Sequence, residues 1–151
     1  MTFSIVARCA TSGQFGVAIS SSSPAVAARC AHARAGIGAV TTQNITNPAL
    51  GPVMLEELAA GHDAVIAIST AIKVDGFGEH RQLLAIDKHG TTAAHSGTHV
   101  LGLWNTSHGI DCVTGGNLLA TSEIPDAMVA AFEAATGSLG DRLLESMLAA
   151  L

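Results

Sequence analysis

The chain has 151 residues, a formal net charge of −5 and only seven lysines and arginines. One domain over residues 1–151 buries a sizeable core, and so few cations exclude nucleic acid as an expected partner, because phosphate binding needs clustered Lys and Arg. No apolar run reaches the roughly 18 residues of a transmembrane helix and no basic segment precedes the first apolar run, so we expect no membrane span, no signal peptide and a cytoplasmic location.

The N-terminal part of the chain predicts three strands. The residues of Thr2–Arg8 alternate with a period of two, as in a strand. "QFGVAIS" resumes this pattern after "ATSG". These segments predict a hairpin with Gly13 at a left-handed turn position. A third strand is expected from Gly36, over "GIGAVTTQ".

Two helices and a second hairpin follow. Pro52 suits the first turn of a helix that closes at Gly61, and Asp63 is predicted to begin the next one. The buried face of that next helix is expected to comprise Val65, Ile68 and Ile72. "QLLAID" and "TTAAHS" flank "KHG" and predict the hairpin.

The C-terminal part predicts one long loop, a short strand and two helices. Residues 97–109 have no periodicity and are expected to form the loop, followed by a strand in "IDCVTGG". Ser122 is predicted to cap one helix, and Ser138 with Asp141 forms a capping-box pattern before the other. The order of elements predicts an α+β domain with mainly antiparallel sheets.

The last predicted helix is still apolar where the chain ends, at Leu151. Such a face needs to be covered, either by partner subunits or by further chain in a longer protein. We therefore expect a homo-oligomer, with the longer protein as the alternative.

Cysteine usage predicts no disulfide framework. The number of cysteines is odd, three in all: Cys9, Cys30 and Cys112. They are widely spaced and form no Cys-x-x-Cys pair. We interpret them as buried, unreactive thiols.

Several blocks arrive in a fixed order, among them "TFSIVAR", "SPAVAARCAHARAGIGAVTTQNITNPALGP", "EHRQLLAIDKHG", "GGNLLATSEIPDAM" and "RLLESMLAAL". Together they resemble the domain-of-unknown-function family 1028, placed in the N-terminal-nucleophile (Ntn) hydrolase superfamily, over essentially the whole chain. The resemblance implies a layered αββα sandwich of two antiparallel sheets, and a first mature residue that acts as nucleophile. It also implies that family members continue with further strands, which this chain is expected to lack. Some members carry labels such as fimbrial assembly protein, which nothing in this sequence supports.

Thr2 is the candidate nucleophile. A hydroxyl needs an adjacent base, and a free α-amino group with a pKa of roughly 7.7–8.0 supplies one on the same residue. Met1 precedes Thr2 and acylates its nitrogen, so this chemistry requires removal of Met1. The alternative is that Thr2 merely begins an edge strand, which threonine favours.

Other residues are candidates for substrate binding or proton transfer. His32 is a possible general base or a structural hydrogen bonder, and Arg34 a substrate-carboxylate clamp or a surface ion pair. Amides at the end of the third strand suit an oxyanion or a substrate, while Asn47 before Pro48 also suits a plain turn. These strand-end candidates are Thr42, Gln43, Asn44 and Asn47.

"GGNLL" is expected to lie between a strand and a helix. Gly116, with Gly115, would let backbone N–H groups approach a ligand, and Asn117 would complete an oxyanion site; a turn without a ligand explains the same residues. The polar run from Glu79 to Gln82 is interpreted as a solvated or interfacial cluster.

Two other functions stay open. His95, His99 and His108 surround the predicted loop, but their spacing matches no firm metal pattern, so no metal and no cofactor are expected. The fold also suits a non-catalytic ligand-binding or assembly subunit. The preferred hypothesis is hydrolysis of a small-molecule amide by Thr2, with His32 and Asn117 assisting and the remaining candidates binding substrate.

Overall fold

The computed structural model describes all residues 1–151 and contains two antiparallel four-stranded sheets and five α-helices. The first sheet has the order β2-β1-β8-β7 and the second the order β3-β4-β5-β6. The strands are β1 (Thr2–Arg8), β2 (Phe15–Ser21), β3 (Ala31–Arg34), β4 (Gly38–Asn44), β5 (Arg81–Asp87), β6 (Thr92–Ser96), β7 (Asn105–Gly109) and β8 (Cys112–Asn117). The helices are α1 (Val26–Cys30), α2 (Leu50–Ala59), α3 (Ala64–Asp75), α4 (Ile124–Ala134) and α5 (Leu139–Leu148), with a short 3₁₀ turn at Gly78–His80.

Three apolar clusters hold these elements together. The first lies between the second sheet and helices α2 and α3, and the second between the first sheet and helices α4 and α5. The third lies between the two sheets and comprises Val6, Ala39, Leu84, Ile86 and Val113. Because successive strand residues point to opposite faces, each sheet contributes one set of side chains to its helices and the other set to the facing sheet.

Both predicted hairpins are confirmed. β1 and β2 pair in antiparallel register, and Gly13 between them has φ 72°. β5 and β6 form the second hairpin, and β8 confirms the strand predicted in "IDCVTGG". Local alternation and turn chemistry were sufficient for these elements.

Other local predictions were wrong. The stretch 97–109 contains β7 at its end, and Glu123 rather than Ser122 precedes α4, with no side-chain cap. Val65 is exposed, because the buried face of α3 is formed by the small residues Ala64, Ala67 and Ala71 together with Ile68. Alanine gives too weak an apolar signal to reveal such a face by periodicity.

Two helix N-termini have the predicted caps. The Asp63 side chain accepts a hydrogen bond from the Ile66 N–H at 2.9 Å. Ser138 and Asp141 form the reciprocal capping box. Each cap satisfies backbone N–H groups that have no partner within their helix.

The longest helix, α3, has 12 residues, and no helix has the length and hydrophobicity required to cross a bilayer.

Candidate functional site

Thr2 lies at the start of an interior strand. β1 is flanked by β2 and β8, so the alternative in which Thr2 begins an edge strand was wrong about the edge position. Thr2 is half-buried and lies opposite Ser21 on one side and Asn117 on the other. Its Oγ1 is 2.8 Å from the Ser21 Oγ, within hydrogen-bond distance.

The Thr2 side chain is on the face of the first sheet that meets the second sheet. Val6 lies four residues after Thr2 on β1, and it belongs to the cluster between the sheets. Ser4 donates a hydrogen bond at 2.7 Å to the Gln43 Oε1 of the second sheet. The period of two therefore places Thr2 at the outer end of the layer between the sheets.

Behind Thr2, buried amides connect the two sheets. The Gln43 Nε2 donates to the Gln82 Oε1 at 2.7 Å, and the Asn117 Nδ2 donates to the same oxygen at 3.1 Å. The Gln82 Nε2 donates to the Gly116 carbonyl and to the Ser96 Oγ, both at 3.0 Å. We call Ser4, Gln43, Gln82, Ser96 and Asn117 the amide network.

Backbone carbonyls set the direction of every bond in the amide network. The Gly116 carbonyl accepts only, so the Gln82 nitrogen must face it, and the Gln82 oxygen then faces Gln43 and Asn117. One N–H of the Asn117 amide is thus committed to Gln82. Asn117 is only 3% exposed, and the strand register places it directly opposite Thr2.

Two predicted candidates, His32 and Thr42, lie on the opposite face of the second sheet. His32 is paired with Val40 and Thr42 with Leu83, and both partners belong to the cluster that packs on α2 and α3. Directly paired residues share a face, so His32 and Thr42 point away from Thr2.

Contacts to α2 account for His32 and Arg34. The His32 ring packs so closely on Gly51 that a Cβ there would lie 2.2 Å from it. Arg34 donates to Glu56 at 2.7 Å in an exposed pair. The Arg34 guanidinium is the main cause of the lowered pKa of the Glu56 carboxyl.

Asn47 lies in a structural cluster around Asp75. The Asn47 Nδ2 donates to the Asp75 Oδ1 at 2.8 Å, and the Arg81 Nε donates to the Asp75 Oδ2 at 2.8 Å. Arg81 also donates to the Ile45 carbonyl. Hydrogen bonding from Arg81 lowers the pKa of Asp75, so the pair is ionised and fastens the segment after β4 to α3.

Two predictions about polar segments were wrong. Gly115 and Gly116 lie inside β8, and a Cβ at Gly116 would come within 2.6 Å of Leu119 and 2.9 Å of the Thr2 carbonyl. Close approach of side chain and backbone, rather than a turn, requires this glycine. For the run from Glu79, only the solvated reading was wrong: Arg81 and Gln82 are buried, and Gln82 bonds residues of the other sheet, as the interfacial alternative expected.

The three histidines around the predicted loop are held apart. His95 bonds the Gly78 carbonyl at 2.8 Å, His108 bonds the Thr92 hydroxyl at 2.8 Å, and His99 lies 3.5 Å from Glu79. No three His, Cys, Asp or Glu side chains come together with metal-binding geometry.

A family model described as "Family of unknown function (DUF1028)" matches residues 2–151. The chain belongs to the DUF1028 family. The family match covers every residue of the amide network as well as Thr2.

This DUF1028 chain is also similar to a solved structure, the crystal structure of protein SPO2555 from Silicibacter pomeroyi, described as DUF1028. The identity is 27%, the TM-score is 0.94, and the match covers 99% of this chain and 69% of that one. Among curated proteins, no significant match is found.

Four cavities are present in the DUF1028 chain, and Thr2 lines none of them. The cavity nearest the amide network has a volume of about 400 Å³ and lies between the end of α3 and the end of β6. Ser96 lines it and also accepts the bond from Gln82. The other three are away from the network, and the lining of the largest, about 600 Å³, includes the turn after β1.

Sequence reasoning missed Ser21, Gln82 and Ser96 as neighbours of the candidate site. Ser21 directly follows the predicted strand segment "QFGVAIS", and the hairpin register places it opposite Thr2. A correct count of the residues between β1 and β2 would have revealed that pairing, because loop length sets hairpin register. For Gln82 and Ser96, only the packing of the two sheets gives a signal.

Proposed function

We propose that the chain is an Ntn-type hydrolase that cleaves an amide C–N bond of a small molecule, with Thr2 as the nucleophile once Met1 has been removed. The observation that carries the proposal is the position of Thr2. It begins an interior strand, faces the layer between the sheets, and lies between Ser21 and Asn117. Two facing sheets with helices packed on their outer sides support the αββα layering that the superfamily resemblance implies.

The proposed reaction begins with the freed α-amine of Thr2 as the base. The amine takes the hydroxyl proton as Oγ1 attacks the substrate carbonyl carbon, and the electron pair of the C=O bond moves to oxygen. The electron pair on oxygen then re-forms the C=O bond and the C–N bond breaks. The leaving amine of the substrate takes the proton that the Thr2 α-amine had accepted. Water hydrolyses the resulting ester and restores Thr2.

Asn117 is assigned to the developing oxyanion. Asn117 lies opposite Thr2 on the neighbouring strand, Gln82 accepts one of its amide N–H groups, and the second N–H is assigned to the oxyanion. A preorganised donor of this kind typically contributes about 10²–10³ in rate. Ser21, bonded to the Thr2 hydroxyl, orients the nucleophile.

A non-catalytic ligand-binding subunit is the second candidate, and one observation favours it. Thr2 lines no cavity, whereas a cavity of about 400 Å³ whose lining includes Lys73, Glu79 and His95 lies beside β6. This candidate predicts a ligand at that cavity and no covalent chemistry at Thr2.

A covalent-capture experiment tests the proposal. Protein expressed from its natural start is weighed intact and then treated with a β-lactone, which acylates a nucleophile without a leaving group. We expect a mass lacking one methionine and one adduct on the peptide Thr2–Arg8, which trypsin separates from Cys9. Thr2→Ala should remove the adduct, and Thr2→Ser and Thr11→Ala should keep it. Full retention of Met1, or an adduct that survives Thr2→Ala, would contradict the proposal.

A further inference from the structure

Four exposed apolar side chains lie together at the end of the sandwich that carries Thr2. We call them the Trp104 patch: Leu101 (48% exposed), Leu103 (47%), Trp104 (40%) and Leu118 (50%). Trp104 is the only tryptophan, and the chain has no tyrosine. Single exposed leucines are ordinary, but a contiguous apolar patch marks a binding surface.

Hydrogen bonds fix the backbone beneath the Trp104 patch. The Leu118 N–H donates to the Leu101 carbonyl at 3.0 Å, and the Leu119 N–H donates to the Leu103 carbonyl at 2.9 Å. The Leu101 N–H donates to the Asn44 Oδ1 at 3.1 Å, which ties the patch to the second sheet. The surface is therefore preorganised and does not depend on a free loop.

Backbone strain occurs at the same place. Asn44 has φ 75° and Leu118 has φ 52°, although neither is glycine. A bulky residue in the left-handed region is an outlier, and such strain concentrates at functional sites. Asn44 is the last residue of β4 and Leu118 directly follows β8, and both strands carry members of the amide network.

The strand register places the patch beside Thr2. Asn117 is opposite Thr2, and Leu118 follows it. Asn105 is opposite Gly116, so Trp104 lies one step further along, at the level of Asn117. With strands about 4.8 Å apart, Trp104 is two strands and roughly 10 Å from Thr2, within reach of one small ligand.

The residues that pair with Thr2 across the strands, Ser21 and Asn117, carry no charge that would select a charged substrate. Ser21 and every member of the amide network are neutral. Arg34, the only predicted carboxylate clamp, is bound to Glu56 on the far side of the second sheet. The chemistry that fits is a neutral amide with an apolar group.

We propose that the Trp104 patch binds the apolar acyl group of an amide substrate whose carbonyl lies at Thr2. This inference rests on the proposed function for the identity of the substrate, but the patch is testable by binding alone. The cavity beside β6 is not assigned to the acyl group. Both Lys73 and Glu79 line it, and their opposite charges do not select one class of ligand.

The experiment uses butanamide, hexanamide and octanamide with the Thr2→Ala chain, and follows emission from Trp104. We expect the dissociation constant to fall about fourfold for each added methylene, because apolar surface leaves water. Leu103→Ser should weaken octanamide binding about fivefold, because only the exposed part of this side chain, 47%, is available to contact the ligand. Leu148→Ser is the matched control, because Leu148 is equally exposed, at 51%, but lies on α5.

Affinity that is independent of chain length, or equally reduced by Leu148→Ser, would overturn the inference. Self-association that Leu103→Ser abolishes would also overturn it, because the patch would then bind a second copy of the chain. Chain-length dependence without a β-lactone adduct at Thr2 would keep the patch and reject the hydrolase. An adduct without chain-length dependence would keep the hydrolase and reject the patch.

Discussion

The layer between the two sheets has two halves of opposite chemistry. Toward the Arg8 end of β1 it is apolar, with Val6, Leu84 and Val113 in contact. Toward the Thr2 end it is filled by the amide network, whose amides are as inaccessible to water as the valines. Burial alone therefore does not explain the difference.

Buried amides are costly unless they are hydrogen-bonded. In the polar half, Gln43 and Gln82 use both their nitrogen and their oxygen atoms. Leucines of similar volume would fill the same space without any such requirement. Under the proposed function, the polar half orients Asn117 beside Thr2, while the apolar half holds the sheets together.

The largest effect on the free energy of unfolding is expected from the ion pairs at the two ends of the layer between the sheets. Arg81–Asp75 at the Thr2 end is nearly inaccessible, whereas Arg8–Asp111 at the other end is partly exposed. Asp75→Asn should lower the free energy of unfolding by about 4 kcal/mol, because it leaves Arg81 buried without a counter-charge. Asp111→Asn should cost about 1 kcal/mol or less. Urea unfolding measures both, and equal losses would contradict the comparison.

The Arg81–Asp75 ion pair is expected to make an acid-sensitive contribution to stability. The folded pKa of Asp75 is below its ordinary value of 3.8, mainly through hydrogen bonding from Arg81. Its contribution is thus fully present above that value and is lost as the pH falls through the lowered folded pKa. Urea midpoints from pH 6 to pH 2 should show this loss in the parent chain. In Asp75→Asn that component should be absent.

Gln82→Leu tests the polar half directly. The substitution keeps the volume but removes the partners of Asn117 and of the Gly116 carbonyl, so the free energy of unfolding should fall by about 2 kcal/mol. Leu84→Met in the apolar half is the matched control and should cost less than about 1.5 kcal/mol. If Gln82→Leu stabilises the chain and leaves the reactivity of Thr2 unchanged, the amide network has no orienting role.

Thr41 lies at the boundary between the two halves and should give a smaller effect of opposite sign. It follows Ala39 on the same face of β4 and precedes Gln43, and its buried Oγ1 has no hydrogen-bond partner. Thr41→Val should raise the free energy of unfolding by about 1 kcal/mol, because it removes an unsatisfied hydroxyl without changing the shape. A lower urea midpoint in Thr41→Val would show that the hydroxyl has a partner in solution.

The smallest expected effect is a difference in thiol labelling between two cysteines near the apolar half of the layer between the sheets. Burial raises the pKa of the Cys112 thiol to about 12, whereas hydrogen bonding from Ser12 lowers the pKa of the accessible Cys9 thiol. Iodoacetamide at pH 8 should modify Cys9 first and reach Cys112 only in urea. Peptide mass spectrometry distinguishes the two, and rapid native labelling of Cys112 would mean that the start of β8 opens.

Much of the strand framework was predictable because its signals are local. Alternation in β1 and β2, the left-handed Gly13 and the caps at Asp63 and Ser138 depend only on neighbouring residues. The segments α1, β3 and β7 were not anticipated, because they are short and lack a clear apolar period. Their structure depends on the strands beside which they pack.

By itself, the sequence determined the order of most strands and helices and the α+β class, because periodicity and turn chemistry act over a few residues. The interest of Thr2 came from its place directly after Met1 and from the family resemblance. Only the tertiary structure decided which candidates share a site. A strand's side chains alternate between two faces, and register with neighbouring strands assigns each face to helices or to the other sheet. That assignment placed Gln43 and Asn117 on the side of Thr2, and turned His32 and Thr42 toward the helices.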